Sequence, residues 1–160
     1  MRVTLIRHAE AGDDAPRDEA RALTARGRAD ARRVGRALCR RKVRFSLMVT
    51  SPLVRAVQTA EIVAAEVRFR GRVLASDLLV PEAPPERVVA FLRSIAHETS
   101  VALVAHEPIL SALAAALVNE TRHASLQKGE ALRIRLPIGA ATSGVERWRI
   151  DPATGRRQGL

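Results

Sequence analysis

Val101-Ala102-Leu103-Val104-Ala105 is an unbroken apolar run that stops at His106. A strand with one wet face alternates polar and apolar residues, so a continuous run reads as a strand covered on both faces. Such strands belong to parallel sheets with helices above and below. The flanking sequence agrees. Residues 86–97 carry Val88, Val89, Phe91, Leu92 and Ile95 at helical spacing, and Pro108 opens an apolar helix to about Val118.

Working back toward the N-terminus, Val3-Thr4-Leu5-Ile6 is a short β-rich run ending at Arg7-His8. A polar loop over 9–22 holds Gly12, Pro16 and five acidic residues. Thr24 is placed to cap a helix over about 25–41, with Val34, Leu38 and Cys39 inside and arginines outside. Phe45 to Thr50 reads as a second strand, closed by Ser51-Pro52, and Pro52 suits the first turn of a helix running to about Val67. Val73-Leu74-Ala75 is a weaker strand.

Toward the C-terminus, 132–136 and 145–150 alternate at period two across a Gly- and Ala-rich loop, the pattern of an antiparallel hairpin. The expected fold is α/β: a three-layer sandwich around a mostly parallel sheet with an antiparallel C-terminal edge hairpin. One domain is expected over residues 1–152, with 153–160 as a loose tail.

Composition narrows the class. The 160 residues are 47% hydrophobic, ordinary for a globular chain, and no apolar run approaches the roughly 20 residues of a membrane span. The first residues are too soon interrupted by Arg7 and His8 to form a signal peptide, and the single cysteine cannot make an internal disulfide. A cytoplasmic monomer is the simplest expectation. Lys and Arg total 27 against 17 Asp and Glu, a net charge of +10; lysine occurs only at Lys42 and Lys128. Such a field draws acidic or phosphorylated partners. With no Tyr, one Trp and three Phe, stacking surfaces for nucleic-acid bases are scarce.

In open α/β sheets, ligands bind beyond the carboxyl ends of the strands. That rule brings His8, Thr50-Ser51 and His106 to one rim. Arg55 lies one turn into the helix after the second strand, and Arg21 lies in the loop after His8. Each has a plain alternative: strand-end histidines are often structural, most arginines are solvated, and Arg122-His123 repeats the first dipeptide elsewhere. Together they make a chemical set. Arginine forks bind a phosphoryl dianion bidentately, a neutral imidazole can attack phosphorus, and a second imidazole, if protonated, can offset charge in the transition state.

Four segments fit the same theme. Leu5-Ile6-Arg7-His8-Ala9-Glu10-Ala11 resembles the N-terminal signature of the histidine phosphatase (phosphoglycerate mutase-like) superfamily. Arg21-Ala22-Leu23-Thr24-Ala25-Arg26-Gly27 is similar to the R-x-L-T-x-x-G element of its small SixA-type branch. The segment from Ser51-Pro52 through Arg55-Ala56 to Gln58-Thr59 resembles S-P-x-x-R-A-x-Q-T, and His106-Glu107-Pro108 resembles H-x-P. Trp148 and Pro152 echo the C-terminal end of that branch.

The resemblance implies His8 as the phospho-accepting nucleophile, Arg7 and Arg55 as the phosphate clamp and His106 as the partner histidine. Arg21 and Ser51 become substrate contacts. It implies no metal and no organic cofactor. The substrate would be a phosphorylated protein of the histidine-containing phosphotransfer type, or a small phosphate ester. Two departures stand out. Ala9 replaces the usual glycine after the nucleophile, and the acidic proton donor of larger members has no clear match. Glu82 is the candidate donor, with Asp77 behind it and a plain loop carboxylate as the equal reading. A basic binding module that has kept the catalytic set as a relic is the alternative of another class.

Overall fold

The computed structural model describes residues 1–137, 139 and 141–159. Ile138 and Ala140, in the loop expected between the last two strands, and Leu160 of the tail lie outside the described residues.

The elements follow the alternating pattern: β1 (Arg2–Arg7), α1 (Ala25–Arg40), β2 (Leu47–Thr50), α2 (Val54–Glu66), β3 (Val73–Ala75), α3 (Pro85–Ser94), β4 (Ser100–Ala105) and α4 (Ile109–Val118). Three more strands close the chain: β5 (Ala131–Arg135), β6 (Val145–Ile150) and β7 (Arg157–Gln158). They form one sheet in the order β3-β2-β4-β1-β5-β6-β7. The first four pair in parallel, and β5, β6 and β7 extend the sheet antiparallel from β1.

β4 is buried at every position, which is why its sequence carries no polar alternation. Its two faces feed two cores. Val101 and Leu103 pack with Val3 and Leu5 beneath α3 and α4, against Val88, Leu92, Leu110 and Leu113. Ala102 and Val104 pack with Ile6 and Met48 beneath α1 and α2, against Val34, Leu38, Ala60 and Val63. In α1 the buried residues Gly27, Ala31, Val34 and Leu38 recur every three to four positions, so arginines fill the opposite face. Thr24 caps this helix, its hydroxyl accepting from Gly27 N at 2.9 Å.

Several boundaries differ from the sequence reading. β2 starts at Leu47 rather than Phe45, because Ser46 turns its hydroxyl to Ser100. Pro52 precedes the helix instead of entering it; Leu53 takes the cap position and α2 starts at Val54. α3 stops at Ser94 rather than His97, where the Ser94 hydroxyl donates to the Phe91 carbonyl. Cys39 is half-buried rather than buried. The tail is not loose: Asp151 accepts from Thr154 and turns the chain back, so that Arg157–Gln158 pairs with β6.

Candidate active site

The sheet's own hydrogen bonding runs one residue past the ends of β1 and β2. His8 N donates to Ala105 O at 2.9 Å, and Ser51 N donates to Val104 O at 2.9 Å. Since β4 lies between β2 and β1, this fixes Ser51, His106 and His8 side by side on one rim. The two imidazole rings lie 5.0 Å apart between centroids, with planes tilted by 51°. His8 is 8% exposed and His106 2%.

His8 Nδ1 lies 2.7 Å from the Ala9 carbonyl. A carbonyl only accepts, so Nδ1 carries the proton and Nε2 keeps its lone pair. Burial pushes the His8 imidazole down to about 4, with the Arg55 and Arg7 charges adding to it against the Ala9 hydrogen bond. The ring is therefore neutral at pH 7, the form in which an imidazole can act as a nucleophile. The turn after it is braced from α2. Ala9 N donates to Thr59 Oγ1 at 3.1 Å, and that hydroxyl donates to the Arg55 carbonyl at 2.7 Å.

His106 Nε2 lies 2.8 Å from Ser51 Oγ. Burial first, then repulsion from His8 once protonated and from Arg55, push this ring down to about 3. Among the described residues its Nδ1 is buried without a hydrogen-bond partner, and so is Arg7 Nε. The other end of the Arg7 guanidinium donates through Nη1 to Leu126 O at 2.7 Å. Leu126 N in turn donates to Glu107 Oε1 at 2.8 Å, which ties the segment behind Arg7 to the residue after His106.

Arg55 is 6% exposed. Its Nη1 donates to the Asp18 carbonyl at 2.8 Å and its Nη2 to Asp18 Oδ2 at 2.9 Å. Arg21 reaches the same carboxylate, Nη1 to Oδ1 at 3.1 Å, and also bonds Gly12 O and Asp13. Asp18 thus bridges Arg21 to Arg55 from the short 3-10 turn Asp18–Ala20.

Of the residues singled out in the sequence, His8, His106 and Ser51 meet directly, and the charges of Arg7 and Arg55 act on both rings. Arg21 is joined to the set only through Asp18. Glu82 sits exposed in the turn before α3, with no hydrogen bond or ion pair among the described residues. Asp77 is exposed at the start of another 3-10 turn. Among the described residues no three His, Cys, Asp or Glu side chains cluster as metal ligands would.

Sequence reasoning missed Asp18, Thr59 and Glu107. Thr59 had a signal, since it follows Arg55 by one helical turn and shares its face. Asp18 was one acidic residue of five in a polar loop and had none.

Comparison with known proteins bears on the family and the fold. Residues 3–76 match the model of the histidine phosphatase superfamily (branch 1). The phosphohistidine phosphatase SixA of Escherichia coli (strain K12) is 31% identical over 119 residues, covering 73% of this chain and 74% of that protein. The mitochondrial serine/threonine-protein phosphatase Pgam5 of Drosophila persimilis is 37% identical over 67 residues, but the chain spans only 23% of its length. Among solved structures, a protein histidine phosphatase SixA complexed with tungstate superposes with a TM-score of 0.90 at 26% identity, covering 96% of this chain and 98% of that one. No helix among the described residues is long and apolar enough to cross a membrane. By matched segment, by coverage of its relative and by fold, this chain belongs to the histidine phosphatase superfamily, in its SixA-type branch.

Proposed function

We propose that the chain is a phosphohistidine phosphatase acting on a phosphorylated signalling protein, with the phosphoryl group passing through His8. The observation that carries this reading is the pair of buried, unpartnered polar atoms next to the neutral His8 ring: Arg7 Nε and His106 Nδ1. Leaving such groups unsatisfied costs on the order of 1–3 kcal/mol each. When the Ser51 hydroxyl donates to His106 Nε2, the other ring nitrogen carries a hydrogen, and a tetrahedral oxyanion supplies acceptors for it and for Arg7. A SixA-type relative of the same fold holds tungstate, itself a tetrahedral oxyanion.

In the first step His8 Nε2 attacks phosphorus. The Nε2–P bond forms as the P–N bond of the substrate phosphohistidine breaks. The substrate imidazole leaves neutral when its other ring nitrogen already carries a proton, so the step needs no strong general acid. This suits a site in which Glu82 is exposed, with no hydrogen bond or ion pair among the described residues. In the second step water attacks phosphorus, the Nε2–P bond breaks, and orthophosphate leaves with His8 again neutral. Arg7 and Arg55 hold the equatorial oxygens, and His106 donates to charge that builds there. Losing one such donor typically costs about a hundredfold in rate.

The experiment is a rapid-quench incubation with a 32P-labelled histidine-containing phosphotransfer protein, beside a panel of small phosphate esters. Acid-labile label on residue 8, absent in His8→Ala, is the expected result. Faster turnover of any small ester than of the phosphoprotein would overturn the substrate assignment, and label that never reaches residue 8 would overturn the mechanism.

A further inference from the structure

At the opposite end of the sheet, Arg133 of β5 is 6% exposed and faces the α1–α2 layer. It donates to Thr4 Oγ1 at 2.8 Å and Ser100 Oγ at 3.1 Å, with its guanidinium carbon 5.8 Å from the Trp148 ring centre and 6.0 Å from that of Phe45. Among the described residues no carboxylate pairs with it. Burial, with Arg2 nearby, pushes it down to about 10. A buried charge without a counter-ion is costly, and folds ordinarily supply one.

Arg133 is the most buried residue of a cavity of about 670 Å³, whose wall also includes Arg2, Arg44, Arg135, Arg147 and Trp148. Every charged side chain on that wall is cationic. None of the four additional arginines just named forms an ion pair among the described residues, although the chain has 17 acidic side chains to place. The cavity is separate from the histidine rim. Arg2 begins β1 and Arg7 ends it, and five strand steps span roughly 16 Å.

We propose that this cavity binds a compact polyphosphate anion, carrying two or more adjacent phosphoryl groups, at a site distinct from the His8–His106 rim. Guanidinium forks match phosphoryl oxygens bidentately. Five of them around one hollow exceed what a single oxyanion can engage, and a hollow of this size is that of an ordinary small-ligand pocket. A concave site with one aromatic ring favours a small ligand over an extended nucleic acid. The anion completes the charge balance that Arg133 lacks. Inorganic polyphosphate and the triphosphate of a nucleotide share this chemistry; Trp148 distinguishes them by stacking on a base.

Trp148 is the only tryptophan in a chain without tyrosine, so its emission reports on this cavity and not on the distant rim. The test titrates the full chain at about 0.15 M ionic strength with tripolyphosphate, ATP, orthophosphate and a DNA oligonucleotide. A saturable emission change with tripolyphosphate, half-complete below about 1 mM and at least tenfold weaker in Arg44→Ser/Arg147→Ser, is expected. Phosphatase activity of that double variant stays at the native level. ATP as tight as tripolyphosphate assigns the affinity to the phosphates, and ATP tighter adds base stacking; both support the site. Arg133→Met risks the fold, hence the surface pair. The proposal fails if the emission does not saturate, if the double variant titrates like the native chain, or if orthophosphate or DNA binds as tightly as tripolyphosphate.

Discussion

Asp18 Oδ2 accepts from Arg55 Nη2 at 2.9 Å, so a carboxylate already occupies part of the guanidinium assigned to the phosphate clamp. Hydrogen bonds from Arg21 and Arg55 hold the Asp18 carboxyl below its usual range, so it is ionised at neutral pH. The Asp18 side chain is 57% exposed whereas that of Arg55 is 7% exposed, which makes Asp18 the partner free to swing away. Asp18→Asn removes the competing charge while the backbone carbonyl keeps its bond to Arg55 Nη1. Exposed pairs of this kind contribute up to about 1 kcal/mol, so orthophosphate is expected to inhibit the variant about two- to fivefold more tightly. Weaker inhibition would instead make Asp18 a residue that positions Arg55.

The depressed histidines set a pH dependence of stability. Histidine in the unfolded chain titrates near 6.5, whereas native His8 and His106 resist protonation down to about 4 and about 3. Between these limits the unfolded state binds more protons, so native stability is complete above about pH 6.5 and falls as the pH drops toward 4. Each such histidine contributes a slope of up to roughly 1.4 kcal/mol per pH unit. Urea midpoints measured at pH 7, 6 and 5 are expected to fall more steeply for the native chain than for His106→Asn. Parallel declines would mean that His106 titrates normally in the native state.

How much of this was legible depends on where each residue's signal lies. β4 announced itself through five apolar residues in a row, because both of its faces are covered by helices. The rim followed from chain order alone, since strand ends in a parallel sheet share one side. Arg55 and His106 were legible because each is fixed to a strand end by a short, regular step. Asp18 was not, since its position depends on how an irregular loop folds back through the Ala11–Leu23 bridge onto α2. The β7 pairing was hidden for a similar reason: two residues, both exposed, carry no periodicity. The arginine hollow could not be read from net charge, because Arg2, Arg133 and Arg147 meet only through the sheet register and Arg44 joins them from the loop before β2.

Gly27 has a reason that the sequence pattern did not state. A Cβ built there would lie 2.0 Å from the Glu10 carbonyl oxygen, a backbone atom that cannot move aside cheaply. The same carbonyl accepts from Thr24 N at 3.0 Å, so α1 starts tight against the segment that follows His8. Gly27→Ala is expected to lose about 1–3 kcal/mol of stability through this overpacking, with a lower rate as the segment shifts. A thermal or urea unfolding curve identical to the native one would show that the helix start can back away.

Ser51→Ala removes the hydrogen bond that orients His106, together with a longer one that the hydroxyl accepts from Leu53 N at 3.4 Å. The serine is fully buried and its hydroxyl lies 2.8 Å from His106 Nε2, so deletion leaves a second unpartnered nitrogen on the same ring. Such a loss costs on the order of 1–3 kcal/mol. Part of it falls on folding, and part on the transition state that His106 is proposed to stabilise. In the proposed function the phosphoryl group is bound chiefly by Arg7 and Arg55, and the Ser51 side chain hydrogen-bonds neither among the described residues. The expected signature is therefore a kcat lower by about tenfold with KM within about twofold of native, and an NMR tautomer signal at His106 no longer set by Nε2. A matched rise in KM with kcat unchanged would place Ser51 in substrate binding instead, and would remove the hydroxyl from any role in aligning the ring.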